Sequence, residues 1–398
     1  MPWSTTSAMT QRLLFIRDFE LGAFSFTALC AHYGVSRETG YAVLARYRRE
    51  GRAGLEAHSR RPQHSPRQTP SAVIDQLAEA RRRHPTWGPK KLLWLARQRS
   101  PDVPWPAPST VGVWLTRRGL IRGRRRRRPL THPGRPRTVA GAPNALWTVD
   151  FKGHFRTRDG HYCYPLTVAD DYSRYLLGCQ ALLQPTRALV RPVLTHLFQA
   201  HGLPERIRTD NGAPFASGAL ARLSHLSVWL LRCGIHPELI EPGHPEQNPR
   251  HERMHRTLKA ATTRPPAADQ RAQQRCFNTF RQEFNAARPH ESLDMQPPAT
   301  RYRPSPRPYR GPVEPLEYPG HFELRKVSRN GIRWQKAWVN VSHVLAEETV
   351  GLEAVADGLW DAYYRSLKLG RFSERTGRIE DDRGRLTRHR RLSTMSPV

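Results

Sequence analysis

The sequence is short of acid and short of cysteine. It has 34 Asp+Glu against 65 Lys+Arg, a formal net charge of +31. A deficit that large argues for a polyanionic partner, of which nucleic acid is the usual one, although charge alone also admits ribosomal, membrane-surface and heparin-type binding. The five cysteines, Cys30, Cys163, Cys179, Cys233 and Cys276, are scattered and odd in number, and no two form a C-x-x-C pair. That excludes a disulfide framework and a cysteine zinc finger. No apolar run reaches membrane-spanning length. The N-terminal "MPWSTTSAMTQRLLFIRDFELG" is not a signal peptide, because Arg17 and Asp18 interrupt its short apolar piece. A cytoplasmic protein is expected.

What is present is long and segmented. A chain of 398 residues accommodates two to four domains, and its 35 prolines point to extended polar connectors. Three short helical patterns run from Gln11 to Glu50. Leu29 and Tyr33 lie one turn apart, Gly34-Val35 makes a tight turn, and Ser36 is a natural N-cap for a helix carrying Val43, Leu44 and Tyr47. This is the layout of a helix-turn-helix, whose second helix enters a DNA major groove, and equally that of any small three-helix bundle. Residues 8–58 are assigned to it, with Ser36, Arg37, Arg46 and Arg48 as DNA-facing residues. A second helical block, 70–122, carries a Val73, Leu77, Ala80 stripe. It ends with "PSTVGVWLTRRGL", where Ser109 is the expected cap and Gly119 the expected stop. It fits either another helix-turn-helix or a structural hairpin. Arg124, Arg125, Arg126, Arg127 and Arg128 then open a basic linker, 123–143, suited to phosphate backbone or simply to solvent.

From Asn144 the periodicity turns to strands. "ALWTVDFKGHF", "YCYPLTVAD" and "RYLLGCQALL" alternate as three antiparallel strands, and the order that follows is βββαβαβα, a mixed sheet flanked by helices over 144–295. After Tyr318 strands return, with an Asn-Gly turn at 330–331 and another turn at Asp357-Gly358. A small β-barrel over 316–372 and a basic tail over 373–398 are expected.

Three acids carry the chemistry. Asp150 lies in the first strand among apolar neighbours, where an unpaired charge is costly. Asp210 ends the fourth strand in "RTDNG", and strand ends are where ligand sites collect in open mixed sheets. An ordinary Asp-Asn-Gly turn would look the same. Glu252 lies in "NPRHERMHRTLK", which also matches H-E-x-x-H, a zinc-protease pattern when two histidines stand one helical turn apart. Zinc would require a third ligand and an apolar setting. The surroundings are basic and no third ligand follows.

Together "WTVD", "RTDNG", "PEQNPRHER" and "RPHESL" resemble the DDE transposase and retroviral-integrase-like superfamily, most nearly the bacterial insertion-sequence transposases with an integrase catalytic core. The resemblance implies an RNase-H-like core in which Asp150, Asp210 and Glu252 form a metal-binding triad for two Mg²⁺ or Mn²⁺ ions. It also implies nicking of transposon ends, joining of the freed 3′-hydroxyl to target DNA, and action as a homo-oligomer on double-stranded DNA, with the protein associated with the bacterial nucleoid. The spacing usual in that family would select Glu246, with 35 residues between it and Asp210, whereas Glu252 has 41. The family pattern P-x-x-N-G-x-x-E, read from Pro245, selects Glu252. Pro249 stands where glycine is usual, and this stiffens the approach to the helix. Arg256 and Lys259, at i+4 and i+7 from Glu252, share its face and with Asn248 are the expected DNA contacts beside the metals. Two alternatives stay open: a catalytically inactive DNA-binding protein that retains the core, and a zinc metallopeptidase built on HERMH.

Overall fold

The structure is a computed structural model that describes residues 7–56, 68–121, 138–241, 248–312 and 317–381. It has two compact units, Met1–Thr69 and Pro70–Val398.

The first unit packs helices α1 (Ala8–Glu20), α2 (Phe26–His32) and α3 (Arg37–Glu50) around Phe15, Ile16, Leu29, Cys30, Val43, Leu44 and Leu55. Ser36 caps α3 as its sequence position predicts, its Oγ accepting from the Thr39 amide at 3.1 Å. Gly34, at φ +63°, makes the turn into it. Gly40 lets α2 and α3 approach closely, since a Cβ there would stand 2.7 Å from Cys30 Sγ.

The second unit opens with α4 (Ser71–Arg83), α5 (Pro89–Arg99) and α6 (Pro108–Arg117), joined by a core of Val73, Leu77, Trp87, Leu92, Leu93, Val111 and Leu115. The expected Ser109 cap is not used. Helix α6 starts at Pro108 with Ala107 as its cap residue and no side-chain cap bond. Proline fits there because its missing N–H would have had no helical partner. Gly119 follows the helix at φ +70°.

The central layer is a mixed sheet of β1 (Leu146–Phe151), β2 (Phe155–Arg156), β3 (Tyr162–Asp170), β4 (Leu176–Leu182), β5 (Arg206–Thr209) and β6 (His236–Leu239). Its order is β4-β3-β1-β5-β6, with β2 pairing the early end of β3. Strands β4, β3 and β1 run antiparallel, whereas β1, β5 and β6 run parallel. Helices α7 (Arg187–His201) and α8 (His225–Arg232) cover one face, and α9 (Pro249–Thr262) and α10 (Gln270–Ala286) the other. The expected element order holds, with short β2 as an addition. Because strand side chains alternate, Trp147, Val149 and Phe151 enter the core under α7 and α8. Thr148 and Asp150 are thereby turned toward α9. Helix α10 receives the α4–α6 block. His84 Nδ1 lies 3.3 Å from Glu283, Arg288 donates to Thr86 at 3.0 Å, and the Arg288 guanidinium stands 5.9 Å over the Trp87 ring.

The C-terminal part is an all-antiparallel sheet, β13-β12-β11-β10-β7, built from β7 (Glu323–Lys326), β10 (Thr349–Ala356), β11 (Leu359–Tyr364), β12 (Leu367–Ser373) and β13 (Arg378–Glu380). Beside it lies a two-stranded ribbon, β8 (Gly331–Trp334) and β9 (Ala337–Asn340). The Asn-Gly turn differs from expectation. Arg329 and Asn330 occupy the corner, Arg329 at φ +55°, and Gly331 already pairs with Ser328. Strand β13 falls inside the stretch expected to be tail. Its one buried residue, Ile379, is too weak a pattern to read as a strand. Leu220, Leu223, Val228 and Leu231 of the central layer join the apolar core of this sheet.

Candidate functional site: a carboxylate pocket over β1

Asp150 is opposite Thr167 in the β1–β3 register, and Thr209, the last residue of β5, is opposite Val149. Asp210 therefore leaves β5 beside the end of β1. Its turn is pinned: Gly212 N donates to Asp210 Oδ1 at 3.2 Å, and Asn211 Nδ2 donates to the Ile240 carbonyl at 2.6 Å. Asn211 Oδ1 accepts from Arg222 at 2.6 Å.

Helix α9 brings the third acid. Pro249 stands at its first position, and the Asn248 carbonyl accepts the Glu252 amide at 3.2 Å. So the proline where glycine is usual leaves the helix intact. His251, Met254, His255 and Leu258 are buried against the sheet, whereas Glu252 and Arg256 are exposed and Lys259 is half-buried. The histidines of HERMH are thereby turned inward. His251 Nδ1 lies 2.7 Å from Thr148 Oγ1 and its Nε2 lies 2.6 Å from Thr167 Oγ1. His255 Nε2 also meets Thr167 Oγ1, at 2.6 Å, and its Nδ1 stands 3.7 Å from Asp150 Oδ2. With both His251 nitrogens held by threonines, the paired zinc ligands of a metallopeptidase are not available. The two imidazoles instead lock α9 onto β1 and β3, and Glu252 lines the same pocket as Asp150.

Asp150, Phe151, Lys152, Glu252, His255, Arg256 and Lys259 line an open pocket of about 370 Å³. Asp210 is not in its wall, but its charge reaches Asp150. Burial, the charge of Asp210 and, more weakly, that of Glu252 push the Asp150 carboxyl up to about 8, against the Phe151 amide and Lys152, which pull it down. Burial raises Asp210 as well. Burial drives His251 down to about 3 and His255 well below the usual histidine range, so both imidazoles are neutral near pH 7. Burial, with Arg264 and Lys152 nearby, lowers Lys259. The arrangement is a knot of acids with a basic rim. Acids crowded together favour either a shared proton or a bound cation.

The expected DNA contacts are placed unevenly. Arg37 and Arg48 are exposed on α3 and Arg46 is half-buried, while the Ser36 hydroxyl is engaged as a cap. Arg256 and Lys259 are in the pocket wall, but Asn248 is buried at 7% exposure and offers DNA little surface. Arg124 to Arg128 and Glu246 lie outside the described residues. Lys152 is a pocket residue that sequence inspection passed over. Its signal was its place two residues after Asp150, just past the end of β1. Asp170 and Asp171 serve the turn after β3. Asp170 accepts from the amides of Asn144 and Ser173 at 2.8 Å each, and Asp171 pairs with Arg250 at 2.7 Å. Asn285 fastens α10 to β4 through both the amide and the carbonyl of Leu176.

Comparison with known proteins agrees with this architecture. Residues 140–245 and 233–298 match models of an integrase core domain. A helix-turn-helix domain matches residues 11–63 and a homeodomain-like domain residues 39–115. An uncharacterized 39.2 kDa protein of insertion element IS476 from Xanthomonas euvesicatoria is 29% identical over 253 residues, 62% of this chain and 69% of that protein. A 31.7 kDa protein of insertion element IS407 from Burkholderia multivorans is 27% identical over 180 residues, 45% of this chain and 62% of that protein. Among solved structures, the integrase of a simian T-cell lymphotropic virus intasome, in complex with a PP2A regulatory subunit, aligns with 73% of this chain and 97% of its own at 14% identity and TM-score 0.37. Among the described residues, no helix is long and apolar enough to cross a membrane. The chain thus carries an integrase core domain behind helix-turn-helix domains and is similar to proteins encoded by insertion elements, which supports a DNA-binding polynucleotidyl transferase.

Proposed function

We propose that the pocket over β1 is where this transposase cuts transposon ends and joins them to target DNA, and that Asp150, Asp210 and Glu252 hold its divalent cations. One observation carries the proposal: two acids from distant parts of the chain act together on the Asp150 carboxyl, in a pocket whose other polar lining is lysine, arginine and histidine. The donor set fits the ion, since hard carboxylate oxygens suit Mg²⁺ or Mn²⁺. When bound, a pair of such ions supplies activation of the attacking oxygen and stabilisation of the leaving one.

The protein's own residues do the rest. Lys152, Arg256 and Lys259 attract the scissile phosphate and hold the strand against the acids. The turn pinned by Asn211 and Gly212 fixes Asp210, and the histidine–threonine bonds fix the helix that carries Glu252. This geometry serves water in the first step and the new 3′-hydroxyl in the second, since each attacks one phosphorus in line. Residues 8–58 and 70–122 are the end-reading modules, 123–143 is a basic linker along the backbone, and 144–295 is the catalytic core. Joining two ends calls for at least two copies of the chain. We further read the C-terminal part as a small barrel, its β8–β9 ribbon closing on the five-stranded sheet where Trp334 meets Trp360 and Phe372 edge-on, with ring centroids 4.9 and 5.3 Å away.

Strand transfer on DNA bearing the element's own ends tests the proposal. Asp210→Asn should abolish cleavage and joining with Mg²⁺ and with Mn²⁺ while end binding persists. Full activity in that variant would end the triad assignment.

A further inference from the structure

HERMH has one feature that the triad leaves unused. Thr167 Oγ1 carries a single proton, and three acceptor-capable atoms surround it: the Asp150 carbonyl at 3.0 Å and the Nε2 atoms of His251 and His255, each at 2.6 Å. The hydroxyl donates to the Asp150 carbonyl. Its two lone pairs are then left for the imidazoles, so each must present an N–H at Nε2. A neutral imidazole with its proton at Nε2 has a bare lone pair at Nδ1. For His251 that lone pair meets the Thr148 hydroxyl at 2.7 Å, whose proton it shares with the Ala169 carbonyl at 3.2 Å. For His255 it faces Asp150 Oδ2 at 3.7 Å.

The Asp150, His251 and His255 ligand atoms lie within 4.8 Å of one another, yet these hydrogen bonds reduce the three to two, because both nitrogens of His251 are committed. The remaining pair, His255 Nδ1 and Asp150 Oδ2, stands 3.7 Å apart, too far for a hydrogen bond to join them. That distance is near the separation of about 3–3.5 Å that two ligands adopt on one ion at metal–ligand distances of about 2.1 Å. His255 also lines the same pocket as Glu252.

We propose that His255 Nδ1 is a direct ligand of the cation held by Asp150, making one position of this centre a mixed imidazole–carboxylate site that favours Mn²⁺ over Mg²⁺. It rests on the reading of Asp150 as a cation-holding carboxylate. Imidazole suits transition ions, whereas Mg²⁺ keeps to oxygen. Within this site His251 is the brace: by holding Thr167 and Thr148 it fixes the tautomer and ring plane of its neighbour, as partners of metal-ligating histidines do.

The test is pulsed electron paramagnetic resonance on Mn²⁺ bound to the untagged full-length protein, with and without ¹⁵N-histidine labelling. The expected result is a directly bound nitrogen that responds to the label, retained in His251→Asn and lost in His255→Asn. The His255→Asn protein should still bind Mn²⁺, about tenfold more weakly, with its Mn²⁺-to-Mg²⁺ preference reduced. The wild-type spectrum decides the matter even if a variant misfolds. Bound Mn²⁺ that is lost in Asp150→Asn but shows no nitrogen coupling would overturn the histidine ligand and leave the carboxylate centre standing. Mn²⁺ that fails to bind, or that binds equally well to Asp150→Asn, would remove both.

Discussion

Asp150 and Asp170 lie on neighbouring strands, and burial raises both carboxyls, yet they belong to different kinds of site. Asp170 is 1% exposed and takes three hydrogen bonds, from the Asn144 amide and from the amide and hydroxyl of Ser173. Its charge is matched by donors, and it closes the turn after β3. Asp150, with 21% of its side chain exposed, opens onto a pocket where Asp210 and Glu252 add to its burden and the Phe151 amide and Lys152 relieve it. A buried acid is therefore not in itself a mark of function. Donors around it make it structural, whereas other acids and an opening to solvent make it a candidate cation site.

The largest expected effect separates the two by chemistry. Asp150→Asn should lower strand transfer at least a thousandfold, yet leave the melting temperature of the metal-free protein unchanged or higher, since it removes mutual repulsion. Asp170→Asn should do the reverse, costing about 2–3 kcal/mol of stability because buried donors lose a charged acceptor. Thermal unfolding alongside an end-joining assay reads both, and a destabilised Asp150→Asn would erase the contrast.

Cation binding sharpens it next. Mg²⁺ or Mn²⁺ at a hundred times its dissociation constant should stabilise the protein by about 2.7 kcal/mol. Asp210→Asn should cancel that gain and Asp170→Asn should not, as calorimetry with and without the ion would show.

The pH dependence follows from the same carboxyl. The Asp150 carboxyl sits at about 8 in the folded protein against 3.8 as an ordinary aspartate. The native state therefore holds the proton more tightly than the unfolded chain. Its contribution to stability is full below about pH 4 and is lost as pH rises through 8. Urea titrations of metal-free wild type minus Asp150→Asn should show that decline, and Mg²⁺ should flatten it by replacing the proton. A difference that rises with pH would have the wrong sign for this account.

The smallest effect belongs to a polar group matched as Asp170 is. Ser36→Ala removes the cap of α3 and should cost about 1 kcal/mol, visible in the melting of the N-terminal unit and absent from Mg²⁺ binding.

Much of this was legible along the chain. Ser36 and Gly34 announced the turn into α3, and the alternation in "LWTVDF" gave β1 with Asp150 on the face opposite Trp147 and Val149. Local rules served there because the causes are local: a cap reaches three residues and a strand pattern repeats every two. Ser109 misled because Pro108, preset to helical φ, takes the first helical position and puts Ser109 inside the helix. At the Asn-Gly pair, Gly331 serves the ladder rather than the turn, where a Cβ would stand 2.5 Å from the Val339 carbonyl.

By itself, then, the sequence determined most of the elements, their order and the basic character of the chain, and put forward three acids as candidates for the chemistry. Only the tertiary structure decided which neighbours those acids have. It set Asp210 to act on Asp150 from the end of a parallel strand, turned both histidines of HERMH inward onto threonines of two strands, and gave Asp170 its donors. The reason is that an acid's state depends on the charges and dipoles within a few ångströms, and in a sheet those come from strands far apart along the chain.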